Sequence, residues 1–356
     1  MPRRASPGAG AEAARPWYAS PAVLGVGRAL EPPGALPHIA RVVDASAPIV
    51  AEEAELAVEA LNVDATSYRV IRERCDGDAG RMADCIGAIV RERGKLQNPW
   101  TGSGGILAGR VTAVGERHWD PGLRPGDRVV PLASLIAIPL ALDAVGPLSP
   151  SSPQVPVRGR AVVTGRMACA SVPDDLPLGV VLTALDVYPA PSHARAMAAP
   201  GDHVLVLGAG HAGLLAAAAA HEAVGANGRV TALDASEAAL ARMRAAQPAT
   251  TTVLADATEP VAVLAALGAH DLPRADLTLV CTSVRGCEGT AILATDEAGT
   301  VLFFSTATSF PAAALGADSV SSTTRLVIPN GYTEDRGRYA LDLLRRDPAL
   351  RAAVEA

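Results

Sequence analysis

A single lysine, Lys95, lies in RGKLQNPWTGSGG (residues 93–105), and every other long basic side chain is an arginine. An ammonium is a compact point charge, and burial lowers its pKa far enough to make it a base; a guanidinium stays charged. Lys95 is therefore a candidate catalytic residue, either the cation for a substrate carboxylate or the acceptor of a proton. The competing account is an exposed lysine closing a helix before Gly and Asn-Pro, where it complements the macrodipole. Asp186 stands alone among apolar residues in GVVLTALDVY. A carboxylate there could bind a substrate ammonium or serve as a base, and could equally be a helix-side acid paired with an arginine. Asn62 and Asp64 in LNVDATS, with Thr101 and Ser103 in TGSGG, are candidate substrate contacts whose alternative is ordinary turn chemistry.

A second group of residues points to a cofactor. HVLVLGAGHAGLLAAAAAHEA places Gly208, Gly210 and Gly213 as G-x-G-x-x-G after an apolar strand and at the head of an Ala-rich helix. The first glycine turns the chain, the second admits a pyrophosphate to the helix N-terminus, and the third lets helix and strand pack closely. His211 lies inside that loop. RVTALD ends in Asp234, whose carboxylate would accept hydrogen bonds from an adenosine ribose and repel a 2′-phosphate, so NAD is expected rather than NADP. Ser305 and Thr306 in FFSTATSF follow a later strand, where hydrogen bonds to a nicotinamide carboxamide compete with simple loop capping as the explanation. Asp256 in VLADAT, after the next strand, is a further candidate cofactor contact; a methyltransferase using S-adenosylmethionine would also place a Gly-rich loop and acids after successive strands, Asp256 standing where its third would be. The β-rich sequence upstream and the third glycine argue against it.

The elements that must position these residues change character along the chain. From about Val23 to Asp186, short β-type runs (ARVVDA, AELAVEAL, ILAGRVTAVG, DRVVPLA, RAVVTG) are separated by Pro/Gly turns, with one helical segment from about Ser67 to Arg93. After Gly201, apolar strands alternate with helices, the pattern of a parallel sheet covered on both faces. The expected fold class is α/β: a disordered tail over 1–16, a β-rich domain over 17–188 and a Rossmann doubly wound parallel sheet domain over 189–356.

With 49% hydrophobic residues in 356, the chain can bury sizeable cores. A net charge of -6 without blocks of one sign, and only 3% aromatics, argue against a nucleic-acid partner. The most apolar runs are too short or too interrupted by Pro and Gly to span a membrane. Five scattered cysteines, and an N-terminus without an apolar core segment, suit the cytoplasm rather than export.

ILAGRVTAVGERHWDPGLRPGDRVVPLA resembles the GroES-like domain of medium-chain dehydrogenases/reductases. In zinc-dependent members a Cys, a His with an adjacent Glu, and a second Cys or acid hold the metal. The corresponding places here are Asn62, Ser103/Gly104 and Thr183 to Asp186, so no metal is expected. EPPGALPHIARVVDA, CDGDAGRMADCIGAIVRERGKLQNPWTGSGGILAGRV, DEAGTVLFFSTATSFPAAALGAD and NGYT resemble the L-erythro-3,5-diaminohexanoate dehydrogenase family. That resemblance implies NAD-dependent oxidation of a C3 amine to a ketone with release of ammonia, a small diamino acid as substrate, and, by analogy with dehydrogenases that pair their Rossmann sheets, a homodimer. A zinc-free reductase of the quinone or enoyl type, or an inactive NAD-binding module, remain as alternatives.

Overall fold

A computed structural model describes residues 21–149, 152–328 and 334–355; the tail expected over 1–16 lies outside them. The first half is built on two ten-residue strands, β3 (Ala54–Val63, counting from the small ribbon β1, Ala29–Glu31, and β2, Val42–Val43) and β7 (Gln154–Val163). Around them run β4 (Gly105–Val114), β5 (Arg128–Pro131), β6 (Leu140–Val145) and β8 (Cys169–Ser171), giving a sheet of order β6-β7-β3-β4-β5-β8 with antiparallel neighbours. Side chains alternate between its faces. Leu61, Val63 and Leu107 enter the core of this half, whereas Ala60, Ile106 and Ala108 join the apolar cluster shared with the second half. Asn62 has the parity of Ala60, so the strand itself aims it at the junction.

The helical segment expected from 67 to 93 is two helices, α1 (Ala65–Arg74) and α2 (Ala79–Arg93). The cause is legible in CDGD. Asp76 and Gly77 take positive φ angles of 50° and 70°, Gly77 N–H closes onto the Arg72 carbonyl, and Asp78 caps the next helix by accepting from Arg81 N–H.

Two helices, α3 (Leu178–Val187) and α4 (Pro189–Met197), lead into the second half. There β9 (His203–Leu207), α5 (His211–Val224), β10 (Arg229–Asp234), α6 (Glu237–Ala246), β11 (Thr251–Leu254), α7 (Pro260–Ala269), β12 (Ala275–Val280), α8 (Glu288–Ala294), β13 (Thr295–Phe303), α9 (Phe310–Ser319) and β14 (Arg325–Val327) alternate, followed by α10 (Glu334–Arg346) and α11 (Pro348–Glu355). The sheet order is β11-β10-β9-β12-β13-β14, parallel throughout, which is the doubly wound arrangement expected. Strand order reverses between β9 and β12, the switch point at whose carboxyl ends such sheets bind ligands. Ala212 and the run Ala216 to Ala220 of α5 are buried, so this helix can lie close against the sheet. Among the described residues no helix is long and apolar enough to cross a membrane.

Gly213 is the tightest point of this half. A Cβ there would stand 1.9 Å from the Gly208 carbonyl oxygen, whereas one at Gly210 would meet nothing within 4 Å. Gly213→Ala is therefore expected to lower the unfolding free energy by about 1–3 kcal/mol in urea titrations, while Gly210→Ala leaves it within experimental error.

Candidate active site

Asp64 caps α1. Its Oδ1 accepts from Ser67 N–H at 3.0 Å and from Ser103 Oγ at 3.0 Å, while Oδ2 is buried with no hydrogen-bond partner among the described residues. Ser67, Thr101 and Ser103 close a triangle of hydroxyls, with Oγ contacts of 2.7 Å (Ser67 to Thr101), 2.8 Å (Ser67 to Ser103) and 3.0 Å (Thr101 to Ser103). The loop that brings Thr101 and Ser103 here is tied to α1 through Asn98, which receives Gly102 N–H on its carbonyl, gives its own N–H to the Ser103 carbonyl and its side-chain amide to Ser67 O. Two glycines allow the approach. A Cβ on Gly104 would lie 2.3 Å from Leu96 O, and one on Gly105, at φ +107°, 1.9 Å from Asn62 O.

Asn62 is 3% exposed, and its Oδ1 also lacks a partner among the described residues. Its register partner on β7 is Gln154, whose amide donates to Thr183 Oγ1 at 3.2 Å and to the Gly179 carbonyl at 2.7 Å. That links β7 to α3, one turn before Asp186. Asp186 is half-buried on a helix whose Leu182 and Leu185 pack in one cluster with Ala60 and Ile106 of the first half and Ala209 of the glycine loop. Burial, and after it the Asp64 carboxylate, pushes the Asp186 carboxyl up to about 8. The site thus gathers Asn62, Asp64, Thr101, Ser103 and Asp186, together with Ser67 and Gln154, which sequence reasoning missed. Ser67 is readable only as the third residue after a capping Asp; Gln154 joins Asn62 across 92 positions, visible once the sheet is paired.

The glycine loop runs from β9 into α5. Gly208, at φ +100°, leaves a Cβ 2.8 Å from Thr282 N, so no side chain fits there, whereas the space beside Gly210 is open at the helix N-terminus. Asp234 fastens the loop: Oδ2 accepts from Ala209 N–H and Oδ1 from Ser236 N–H, both at 2.8 Å, leaving one lone pair on each oxygen. His211 opens α5 half-buried, its pKa lowered by burial and then by Arg242. Ser305 and Thr306 follow β13 on the same edge, Ser305 Oγ accepting from Ala307 N–H and Thr306 exposed. Asp256 stands in an exposed turn, its Oδ1 accepting from the N–H and hydroxyl of Thr258. The open seat at Gly210, the packed Gly213 and the fixed carboxylate fit a dinucleotide.

The description "L-erythro-3,5-diaminohexanoate dehydrogenase N-terminal domain" matches residues 27–173. Proteins named L-erythro-3,5-diaminohexanoate dehydrogenase from Acetoanaerobium sticklandii and Fusobacterium nucleatum subsp. nucleatum are each 36% identical to the chain, the first over 93% of it and 97% of the relative, the second over 92% and 96%. The chain belongs to the L-erythro-3,5-diaminohexanoate dehydrogenase family. A quinone oxidoreductase from Pseudomonas syringae pv. Tomato DC3000 superposes with a TM-score of 0.54 at 15% identity, covering 88% of this chain and 89% of that one, which shows a shared medium-chain dehydrogenase/reductase fold. Family and fold together point to a nicotinamide cofactor.

In this member of the family Lys95 does not join the carboxylates. It is 0% exposed, and its Nζ donates to the Pro37 carbonyl at 2.6 Å, tying the 29–45 segment to the end of α2. Burial, and then Arg93, lowers its pKa to about 8; neither Asp64 nor Asp186 is among the charges it feels. The expectation that Lys95 and Asp186 share the chemistry is thus not what the geometry brings together. A folded-state pKa below the ordinary 10.5 means that the unfolded chain holds the proton more tightly between those values, so stability rises with pH there. Relative to Lys95→Met, the unsubstituted protein should gain stability from about pH 8 to pH 10.5, read by urea unfolding at each pH.

Proposed function

We propose that the chain catalyses NAD-dependent oxidative deamination of L-erythro-3,5-diaminohexanoate at C3, giving 5-amino-3-oxohexanoate and ammonia, with residues 17–188 handling substrate and 189–356 the cofactor. The observation that supports it best is the Asp64–Asp186 pair beside the orphaned oxygens of Asp64 and Asn62: a site with acceptors and negative charge but no cation of its own among them suits a substrate that brings ammonium groups. Asp64 Oδ2 and Asn62 Oδ1 accept hydrogen bonds from a substrate ammonium. Asp186 takes the proton that the C3 ammonium must lose before its nitrogen lone pair can assist hydride departure, and later handles the proton of the attacking water. Gln154 and Thr183 hold α3 so that Asp186 keeps its place. Thr101 and Ser103 orient Asp64.

NAD, bound along the glycine loop, supplies the hydride acceptor for C3. Gly208, Gly210, His211 and Gly213 would hold its pyrophosphate, Asp234 its adenosine ribose, and Ser305 and Thr306 its carboxamide. The Asp234 carboxylate at the end of β10 repels a 2′-phosphate, which supports NAD over NADP. Five free cysteines support the cytoplasm. A homodimer is supported by the open edge of β14, near which Leu315, Val320 and Ile328 expose 69%, 47% and 58% of their surface. Leu315→Asp should halve the mass seen in sedimentation.

The decisive assay mixes the protein with L-erythro-3,5-diaminohexanoate and NAD, following absorbance of the reduced cofactor and free ammonia together; absence of both rejects the reading. Asp186→Asn is expected to lose roughly 100-fold or more in kcat. A base must be ionised to act, so kcat/KM rises with pH through about 8, the Asp186 value, and this limb vanishes in the variant. Stability moves the opposite way. The folded pKa lies above the ordinary 3.8, so ionising Asp186 costs stability as pH climbs from about 4 to 8, and Asp186→Asn should be the more stable protein at pH 9.

A further inference from the structure

Oxidation of an ammonium substrate to a ketone and ammonium balances as R–CH(NH3+)–R′ + NAD+ + H2O → R–CO–R′ + NH4+ + NADH + H+. One proton must therefore leave a site in which Asp64 Oδ2 is buried and Asp186 is desolvated. Ser67, Thr101 and Ser103 form a closed ring of hydroxyls, and the ring touches the carboxylates at one point, Ser103 Oγ against Asp64 Oδ1. Around the ring either oxygen of each contact can donate, so its polarity reverses by rotation of hydroxyl hydrogens alone. Ser67 is 0% exposed, while Thr101 and Ser103 are half-buried and Thr101 adjoins Trp100, which is 42% exposed. The ring meets Asp64, whose Oδ2 is buried, through Ser103, and reaches the surface at Thr101, which lies between exposed Trp100 and Gly102.

We infer that this ring is a proton conduit, carrying the released proton from Asp64 through Ser103 to Thr101 and the solvent. The inference rests on the deaminase reading given above. In the outward step, the proton taken up by Asp186 passes to the neighbouring Asp64 carboxylate, which hands it on to Ser103 Oγ; Ser103 passes its own hydroxyl proton to Thr101 Oγ1, and Thr101 releases its proton to water, leaving both carboxylates as they began. No bond other than O–H is broken or made, and the hydroxyls then turn back to donate toward Asp64. Ser67 offers a parallel leg, Ser103 to Ser67 to Thr101, and its backbone N–H and hydroxyl fix the geometry of the whole group.

This topology ranks the three hydroxyls. Ser103 is the single link to Asp64 and Thr101 the exit, whereas Ser67 lies on a detour bypassed by the 3.0 Å contact between the other two. Turnover of the diamino acid by the full-length enzyme with NAD is measured for Ser103→Ala, Thr101→Val, Ser67→Ala and the conservative Thr101→Ser. The expected result is a loss of about tenfold or more in kcat, with KM little changed, for the first two. Ser67→Ala should lose less, and Thr101→Ser should recover most of the rate. Imidazole buffer, a small proton carrier, should raise kcat of Ser103→Ala in proportion to its concentration, and the solvent deuterium isotope effect on kcat should grow in the slow variants.

A structural role predicts the reverse order. Ser67, buried and bonded to both other hydroxyls and to Asp64, would then be the most damaging loss, and imidazole would rescue nothing; that pattern overturns the conduit. Full activity of Ser103→Ala and Thr101→Val overturns it as well while leaving the deaminase reading standing. If the unsubstituted enzyme fails to oxidise the diamino acid, the reading falls and takes the conduit with it.

Discussion

A desolvated carboxylate set beside a second carboxylate is costly, because burial and the neighbouring like charge both disfavour its ionised form. Asp64 and Asp186 stand in that relation, and no arginine, lysine or histidine is paired with either among the described residues. The rest of the first half can be understood as what keeps this arrangement from relaxing. Asp64 cannot swing away because Oδ1 is held by a helix N–H and a hydroxyl, and Asp186 cannot retreat because α3 is locked between two sheets by Leu182 and Leu185. Each of these leucines contributes roughly 2 kcal/mol through its burial.

The local sequence around the site follows from this constraint. A loop that must place two hydroxyls against a helix cap needs backbone passing close to backbone, and TGSGG supplies it: a Cβ at Gly104 or Gly105 would overlap a carbonyl oxygen. Asn98, fully buried, replaces the sheet and helix bonds that such a turn lacks, satisfying the loop's own amide and carbonyl groups. The unpaired oxygens of Asn62 and Asp64 are then not errors of packing. They are what remains once every neighbouring group that could close onto them has been tied elsewhere, and they cost stability until a donor arrives.

Much of the architecture was legible in the chain because it rests on local rules. The glycine loop, the alternation of apolar strands and helices, and the lone acid in GVVLTALDVY each carry their meaning within about twenty residues. The site was legible only in part. Gln154 reaches Asn62 through strand register, which no short window contains. Ser67 looks like any serine in the first turn of a helix. The CDGD break was written plainly in a stop-and-start signal but was hidden by a helical period continuing on both sides. Burial, and then Arg93, lowers the Lys95 pKa as an active-site base would require, yet its ammonium is tethered to the Pro37 carbonyl. A perturbed pKa marks desolvation, and desolvation is common to cores and active sites alike. What sets Asp186 apart is its neighbour: the like charge acting on it is Asp64, which carries an unpaired buried oxygen, whereas the one acting on Lys95 is Arg93 at the end of a helix.

The retained lysine also has a physical answer. Its ammonium is fully enclosed and meets one carbonyl, a space for a point donor; a planar guanidinium would bring five donors to the same place and leave most of them unsatisfied. The carboxylate pair follows the opposite logic, being short of donors until substrate enters. Near pH 7 Asp186, with a pKa of about 8, holds its proton. An ammonium entering beside it favours the ionised form, so binding itself drives a proton off Asp186 before any chemistry begins. The charge of the substrate thus converts the resting acid into the base the reaction needs, and a site that excludes water from the carboxylates must also provide that first proton with a way out.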